Sequence, residues 1–243
     1  MPTYGYKDSD GVDVGNKYVT KDYVMDLYPD LVTGITPQLW TWGYNGLGQL
    51  GTNNTTSYSS PVTTVAGGTN WKQVASVSQH TAAIKTDGTL WTCGYNGFGQ
   101  LGTNNTTSYS SPVTTVGGGT NWKQVAGGYY QTVAIKTDGT LWTWGYNGYG
   151  QLGTNNSTYY YSPVTTVGGG TNWKQVAGGY THTAAIKTDG TLWTWGYNSA
   201  GQLGTNDTTS YSSPVTTVAG GTNWKQVAGG YFHTVAISEA ENW

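Results

Sequence analysis

Three histidines, His80, His182 and His233, recur at the same point of a repeating pattern, with Gln131 filling the fourth such position. Three imidazoles gathered about one axis are a geometry that binds metal. The competing reading is a His that hydrogen-bonds backbone in each unit, a task Gln131 can share, and no metal is assigned. Carboxylates are sparse. Within the repeats they are Asp87, Asp138, Asp189 and Asp207, and the first three sit in Asp-Gly turns. That leaves no pair for glycoside hydrolysis, and no catalytic residue or cofactor is assigned. The single Cys93 excludes a disulfide framework and reads as a small buried hydrophobe. Gly168-Gly169-Gly170-Thr171 lacks the helix that a phosphate loop requires. The Asn-x-Thr/Ser sequons at Asn53, Asn54, Asn104, Asn105, Asn155, Asn156 and Asn206 read as polar loop.

Charged residues are 9% of the 243, against about 25% in an average soluble domain. All the positive charges are Lys, and the net charge is −2. A nucleic-acid binder would carry a basic excess, so no nucleic-acid partner is expected. No apolar run approaches the roughly 18 residues that span a bilayer, so no membrane insertion is expected. The N-terminus has no basic n-region or apolar h-region, so no signal peptide is read.

The elements that position these residues come from a repeat. Leu-Trp recurs at Leu39-Trp40, Leu90-Trp91, Leu141-Trp142 and Leu192-Trp193, 51 residues apart each time. A Gly-rich period near 50 points to propeller blades. Four β runs fill each unit: Pro163–Val167, Trp173–Ala177, Thr183–Lys187 and Thr191–Trp195. Pro suits the first residue of a strand. Asp-Gly between two β runs predicts a type I′ hairpin, with positive φ at both central residues. The predicted blade runs from PVTTV to LWTW. The last copy stops after His233–Ser238, and its missing LWTW stands alone at the other end of the array, as residues 39–42. The expected fold is therefore all-β: a closed four-bladed propeller over 39–243, with Leu39–Trp42 pairing antiparallel with Val235–Ser238. Completion of that blade by another chain, giving a swapped oligomer or a filament, is the alternative. Period two puts Trp40 and Trp42 on one sheet face, like Trp142 and Trp144, opposite the small residues of runs such as Ala82-Ala83-Ile84.

Trp-Gly-Tyr-Asn-Gly-x-Gly-Gln-Leu-Gly at 42–51 and 144–153, and Gly-Gly-Tyr-x-His-Thr-x-Ala-Ile-x-x-Asp-Gly at 178–190, resemble the regulator-of-chromosome-condensation repeat family. The resemblance covers residues 39–238 and implies a β-propeller, commonly of seven blades, whereas this chain holds repeats for four. It brings two activities into view. Chromatin binding needs basic contacts, and here seven Lys face four Asp without Arg. A plant ultraviolet-B photoreceptor of the family uses clustered Trp with Arg–Asp pairs across a dimer, and the Arg are absent. The near-identity of the units also resembles repeat proteins encoded by marine bacteriophages, some of them virion components.

Loops of antiparallel blades alternate between two faces. GGGTN and TDG share one face, and they hardly vary between units. GGYxH and the long GYNGxGQLGTNNTTSYSS loop share the other, which holds nearly all the differences. Tyr-, Ser-, Gly- and Asn-rich loops with few charges have the composition of adaptable binding surfaces. The candidate ligand-binding residues are Phe98, Tyr129, Tyr130, Tyr149, Tyr159, Tyr161, Tyr180, Tyr231 and Phe232. Residues 1–38 form a separate attachment segment, with Thr20 capping a helix over Lys21–Tyr28 that Pro29 ends. The functional expectation is a non-enzymatic virion protein. It would be a phage fibre or decoration component, tied to other virion proteins through residues 1–38, presenting the Tyr-rich face to a host-surface glycan or protein receptor. The alternatives are a purely structural decoration protein and a soluble protein-interaction scaffold.

Overall fold

The computed structural model of the protein describes residues 37–65 and 70–239. The predicted helix at 21–28 and its attachment segment lie outside them. The described residues are all β. Three complete antiparallel four-stranded blades follow one another. Blade I is β3 (Trp71–Ser76), β4 (His80–Lys85), β5 (Leu90–Gly94) and β6 (Tyr109–Thr114). Blade II is β7 (Trp122–Gly127), β8 (Gln131–Lys136), β9 (Leu141–Gly145) and β10 (Tyr160–Thr165). Blade III is β11 (Trp173–Gly178), β12 (His182–Lys187), β13 (Leu192–Gly196) and β14 (Tyr211–Thr216). A two-stranded sheet stands at each end: β1 (Trp40–Gly43) with β2 (Tyr58–Thr63), and β15 (Trp224–Gly229) with β16 (Thr234–Ser238).

Three sequence expectations are corrected. The blade begins at WKQVA, one strand later than predicted. The Pro-containing strand is the outer strand of the preceding blade, where Trp142 faces Thr165 and Gly145 faces Tyr160 with a register irregularity between. An irregular outer edge tolerates the N–H that Pro163 lacks. Second, β1 pairs with β2 (Trp40 opposite Thr63) and not with Val235–Ser238. β5, β9 and β13 pair on both sides, whereas the curvature of the array leaves β1 with its local partner β2 alone. Among the described residues, closure of a four-bladed ring by residues 39–42 is absent, and the array is open at both ends. Third, only Gly88 of the Asp87-Gly88 turn has positive φ, +80°. Gly88 N–H donates to Lys85 O and Lys85 N–H to Thr89 O, which is a type I turn closed by a glycine bulge. Asp87 Oδ1 accepts from the N–H and hydroxyl of Thr89, at 2.9 and 2.7 Å. Those bonds hold its carboxyl below the ordinary range.

The core lies between blades. Each blade has a face of large rings and a face of small and aliphatic side chains. Trp122, Val125 and Trp144 of blade II pack on Ala82, Ile84 and Leu90 of blade I. Blade III repeats this on blade II through Trp173, Val176 and Trp195 against Val133, Ile135 and Leu141. The expected Trp-on-Ala packing is what buries the indoles. Polar staples fix the register: Gln73 accepts from Val125 N–H (2.9 Å) and donates to Val125 O (3.2 Å), and Gln175 serves Val227 likewise.

Cys93 takes the place of Trp144 and Trp195 in blade I. It is buried, and burial pushes its thiol up to about 12. Trp144 and Trp195 Nε1 donate to Gln100 O and Gln151 O at 2.8 and 2.9 Å, whereas Cys93 Sγ reaches Gln49 O only at 3.6 Å. We expect Cys93→Trp to restore that bond and fill the site, raising stability by about 1–2 kcal/mol. Thermal denaturation should show a midpoint several degrees higher; a lower one would mean that Pro112, which abuts the thiol's neighbour Gly51, cannot give way.

Candidate functional site

Two sets of loops build one face, and each is organised by buried polar residues that sequence reasoning passed over as loop. In the long loop of blade I, Asn96 is fully buried. Its Nδ2 donates to Thr103 Oγ1, Asn105 O and Thr107 O at 2.9–3.1 Å, and its Oδ1 accepts from Leu101 N–H at 2.9 Å. Asn45 and Asn147 do the same in their units, and Asn198 does so without the last carbonyl. The adjoining Gln100 Oε1 accepts from Phe98 N–H at 3.0 Å, and Gln151 from Tyr149 N–H at 2.9 Å. The variable residue of each loop is thus held by an invariant amide. Gln100 also serves the next blade, because its backbone carbonyl accepts from Thr132 Oγ1 and Trp144 Nε1. Asn53, Asn104, Asn155 and Asn206, read as sequons, adopt left-handed φ of 58–61° that Asn tolerates.

The short loops stack from blade to blade. Tyr129 N–H donates to Tyr180 O and Tyr180 N–H to Gly230 O, both at 3.1 Å. The blades approach so closely here that a Cβ on Gly178 would strike the Gly127 backbone. The ladder places ring on ring. Tyr129 and Tyr180 have centroids 4.3 Å apart, and Tyr180 and Tyr231 stack at 3.9 Å with a 22° tilt.

Both loop sets merge into one aromatic network. Phe98 touches Tyr130 (4.7 Å) and Tyr159 (5.7 Å), and Tyr130 touches Tyr129 (4.1 Å). Tyr231 meets Phe232 edge-on at 4.4 Å. Tyr149 joins through Tyr146 and Tyr197, and Tyr197 reaches Phe232. Eight of the nine predicted residues therefore come together. Tyr161 stands apart from this network, with its ring against Gly99. Tyr95, Tyr146 and Tyr197 were missed. They are the Tyr of three of the four GYN triplets, and a search for differences between units passes over them. Burial pushes Tyr146 up to about 12, and a hydrogen bond that the Tyr180 phenol makes to Tyr231 does the same for Tyr180. Tyr146 and Tyr180 are therefore neutral at physiological pH. The described Lys lie toward the opposite end, where Lys85, Lys136 and Lys187 cover Trp rings at 4.4–4.9 Å.

The histidines form no metal centre: no three His, Cys, Asp or Glu converge among the described residues. His80 Nε2 meets Thr132 Oγ1 at 2.8 Å, and His182 Nε2 meets Thr234 Oγ1 at 3.0 Å, each in the next blade. The Thr132 proton is spent on Gln100 O, so His80 Nε2–H is the donor, and burial keeps the ring neutral. The bond goes to a neighbouring hydroxyl rather than to backbone; Gln131 does reach backbone, at His182 O.

With this geometry in view, the RCC1-like domain model matches residues 31–243. The chain belongs to the RCC1-like domain family. It is 34% identical to the ultraviolet-B receptor UVR8 of Arabidopsis thaliana over 209 residues, 84% of this chain and 48% of that protein. It is 31% identical to the probable E3 ubiquitin-protein ligase HERC4 of Homo sapiens, over 78% of this chain and 18% of that protein. The RCC1-like chain thus spans about half of the first relative and under a fifth of the second. Human WBSCR16 superimposes with TM-score 0.76 at 23% identity, over 86% of this chain and 55% of that one. Prp20p of Saccharomyces cerevisiae, whose structure was reported with its binding to Gsp1p and histones, gives 0.71 at 20% over 84% and 52%. These likenesses show the fold. The relatives are proteins of cells. They overturn the expected phage fibre or decoration component and its virion localisation, and they leave the virion and glycan partners and the bacteriophage resemblance without support.

Burial lowers His80 to about 3 and His182 to about 4. Above pH 6.5 both rings are neutral whether the chain is folded or not. As pH falls through 6.5 the unfolded chain takes up protons that the folded chain refuses until about 4 and 3. Stability is therefore lost across that window, by on the order of a few kcal/mol. His80→Gln with His182→Gln, copying position 131, should flatten the loss in urea melts compared at pH 7 and pH 5. An unchanged pH dependence would exclude these rings as its source.

Proposed function

We infer that the protein is a non-enzymatic interaction module that engages a protein partner through its aromatic face. The observation that carries this reading is the continuous ring network, from Phe98 through Tyr130, Tyr129 and Tyr180 to Tyr231 and Phe232. Tyr231 and Phe232 are 55% and 47% exposed. Aromatic rings on a rigid base give large contact area at small entropic cost, and such residues dominate protein interfaces. The ring network itself holds no charged side chain, so it selects by ring contact and phenol hydrogen bonds rather than by charge. The RCC1-like relatives support a protein partner over a small substrate. Similarity to the ubiquitin ligase covers 18% of that protein, which supports a shared module rather than a shared reaction. The absence of Arg argues against chromatin binding and against a photoreceptor built on Arg–Asp pairs.

The test is a displayed-peptide selection against the whole protein, followed by calorimetry on the recovered peptides. Tyr180→Ala and Tyr231→Ala should each weaken binding by tenfold or more, about 1.4 kcal/mol or above. Lys123→Ala, at the opposite end, should leave it unchanged. Peptides that bind all four proteins equally would place recognition elsewhere.

A further inference from the structure

Among the described residues the two ends of the blade array are open, and they are unlike. At the first end, β1–β2 is the outer half of a blade. Trp40 and Trp42 are 51% and 60% exposed, whereas Trp144 and Trp195, equivalent to Trp42, are fully buried. Behind them Val74 is 52% exposed, although its counterparts Val125 and Val176 are 2% exposed. At the other end, β15–β16 is the inner half of a blade. Val235 and Ile237 are 56% and 60% exposed, and Ile135 and Ile186, equivalent to Ile237, are fully buried. One end lacks what the other has.

The repeat dictates how the halves fit. β12 pairs with β13 through Thr183 opposite Trp195 and Ala184 opposite Thr194. Shifted by the 51-residue period, Thr234 of β16 faces Trp42 and Val235 faces Thr41. A cavity of about 440 Å³ opens at this end, lined by Leu192, Leu203, Gly204, Trp224 and Ala236 among others. Within the array the matching space holds an indole: Trp195 lies on Gly153 and donates to Gln151 O. Gln202 O and Gly204 occupy those positions here with no ring over them. Gly150 likewise seats Ser212 of the next outer strand, whereas nothing lies within 4 Å of a Cβ built on Gly201. Trp42 and Ser59 are the residues that the register brings to Gly204 and Gly201.

We propose that the C-terminal end is a socket for β1–β2 of a second copy of this chain, with Trp42 filling the cavity, so that β15, β16 and the partner copy's β1 and β2 form one shared four-stranded blade. The occupant is a second copy because of curvature. The array superimposes on 55% of a longer chain with TM-score 0.76, so its curvature is that of part of a larger fold. An arc that open carries its own β1 away from β16, and two such arcs joined at both ends close. The contact is head-to-tail, and two identical junctions about a twofold axis end the assembly at a dimer.

The test uses the full chain. Light scattering should give twice the chain mass. Thr41→Cys and Val235→Cys, co-expressed, should cross-link to a dimer on mild oxidation, while each alone stays reducible to single chains without a cross-link. The double variant should close into a covalent dimer and not within one chain. Trp42→Ala should raise the dissociation constant about a hundredfold or more while keeping the β-sheet circular dichroism. A monomeric wild type, a cross-link inside one chain, a species larger than a dimer, or an undiminished Trp42→Ala dimer would each overturn the proposal.

Discussion

The indole of Trp144 is wholly buried against a neighbouring blade's Ala82, Ile84 and Leu90, and the whole array rests on contacts of this kind. A twisted four-stranded sheet this short cannot bury its own faces. Each blade has a face bearing rings and a face bearing small side chains, so it is stable only between two others. The bulk of Trp on one side and the slightness of Ala on the other set how far apart consecutive blades stand. The polar staples then fix their register, since Gln73 bonds Val125 and His80 bonds Thr132 only when the offset is right. Burial and hydrogen bonding thus act on the same joint: the first supplies the energy and the second the alignment.

The aromatic face inherits its rigidity from that joint. Gln100 holds Phe98 with its side chain and the next blade's Trp144 with its carbonyl. A recognition ring and a core ring therefore hang from one residue. The Tyr ladder is likewise strung on backbone bonds between consecutive loops, from Tyr129 to Tyr180 and from Tyr180 to Gly230. Rings held in this way lose little freedom on meeting a partner, which is the advantage of building a binding surface on propeller loops.

Much of this architecture was legible in the sequence. The strands were, because period-two runs between Asp-Gly and Gly-rich breaks admit few other readings. The family was, because its motifs recur in register. The grouping of the aromatic residues on one face followed from strand alternation. The blade boundary was not legible: a Pro that opens a strand and a Pro inside an irregular outer strand look alike until pairing is known. Nor was the openness of the array, because curvature is the sum of wedge angles between packed side chains and has no local signature. The Asn and Gln of GYNGxGQLG read as polar loop, although Asn96 is as buried as any core residue. The virion reading failed for a different reason. Resemblance between units records how recently they were copied, and copying history says nothing about what a surface binds.

The equivalence of the joints has one more consequence. Blade I meets blade II through the same kinds of side chain with which blade II meets blade III. A gene for such a protein can gain or lose one 51-residue unit by unequal recombination, and both cut ends still find the surface they were shaped for. Length is then free to vary by whole units, whereas a shift of any other size breaks the frame of every joint beyond it. The array behaves as a coin of fixed denomination, and inheritance can change the sum but not the unit.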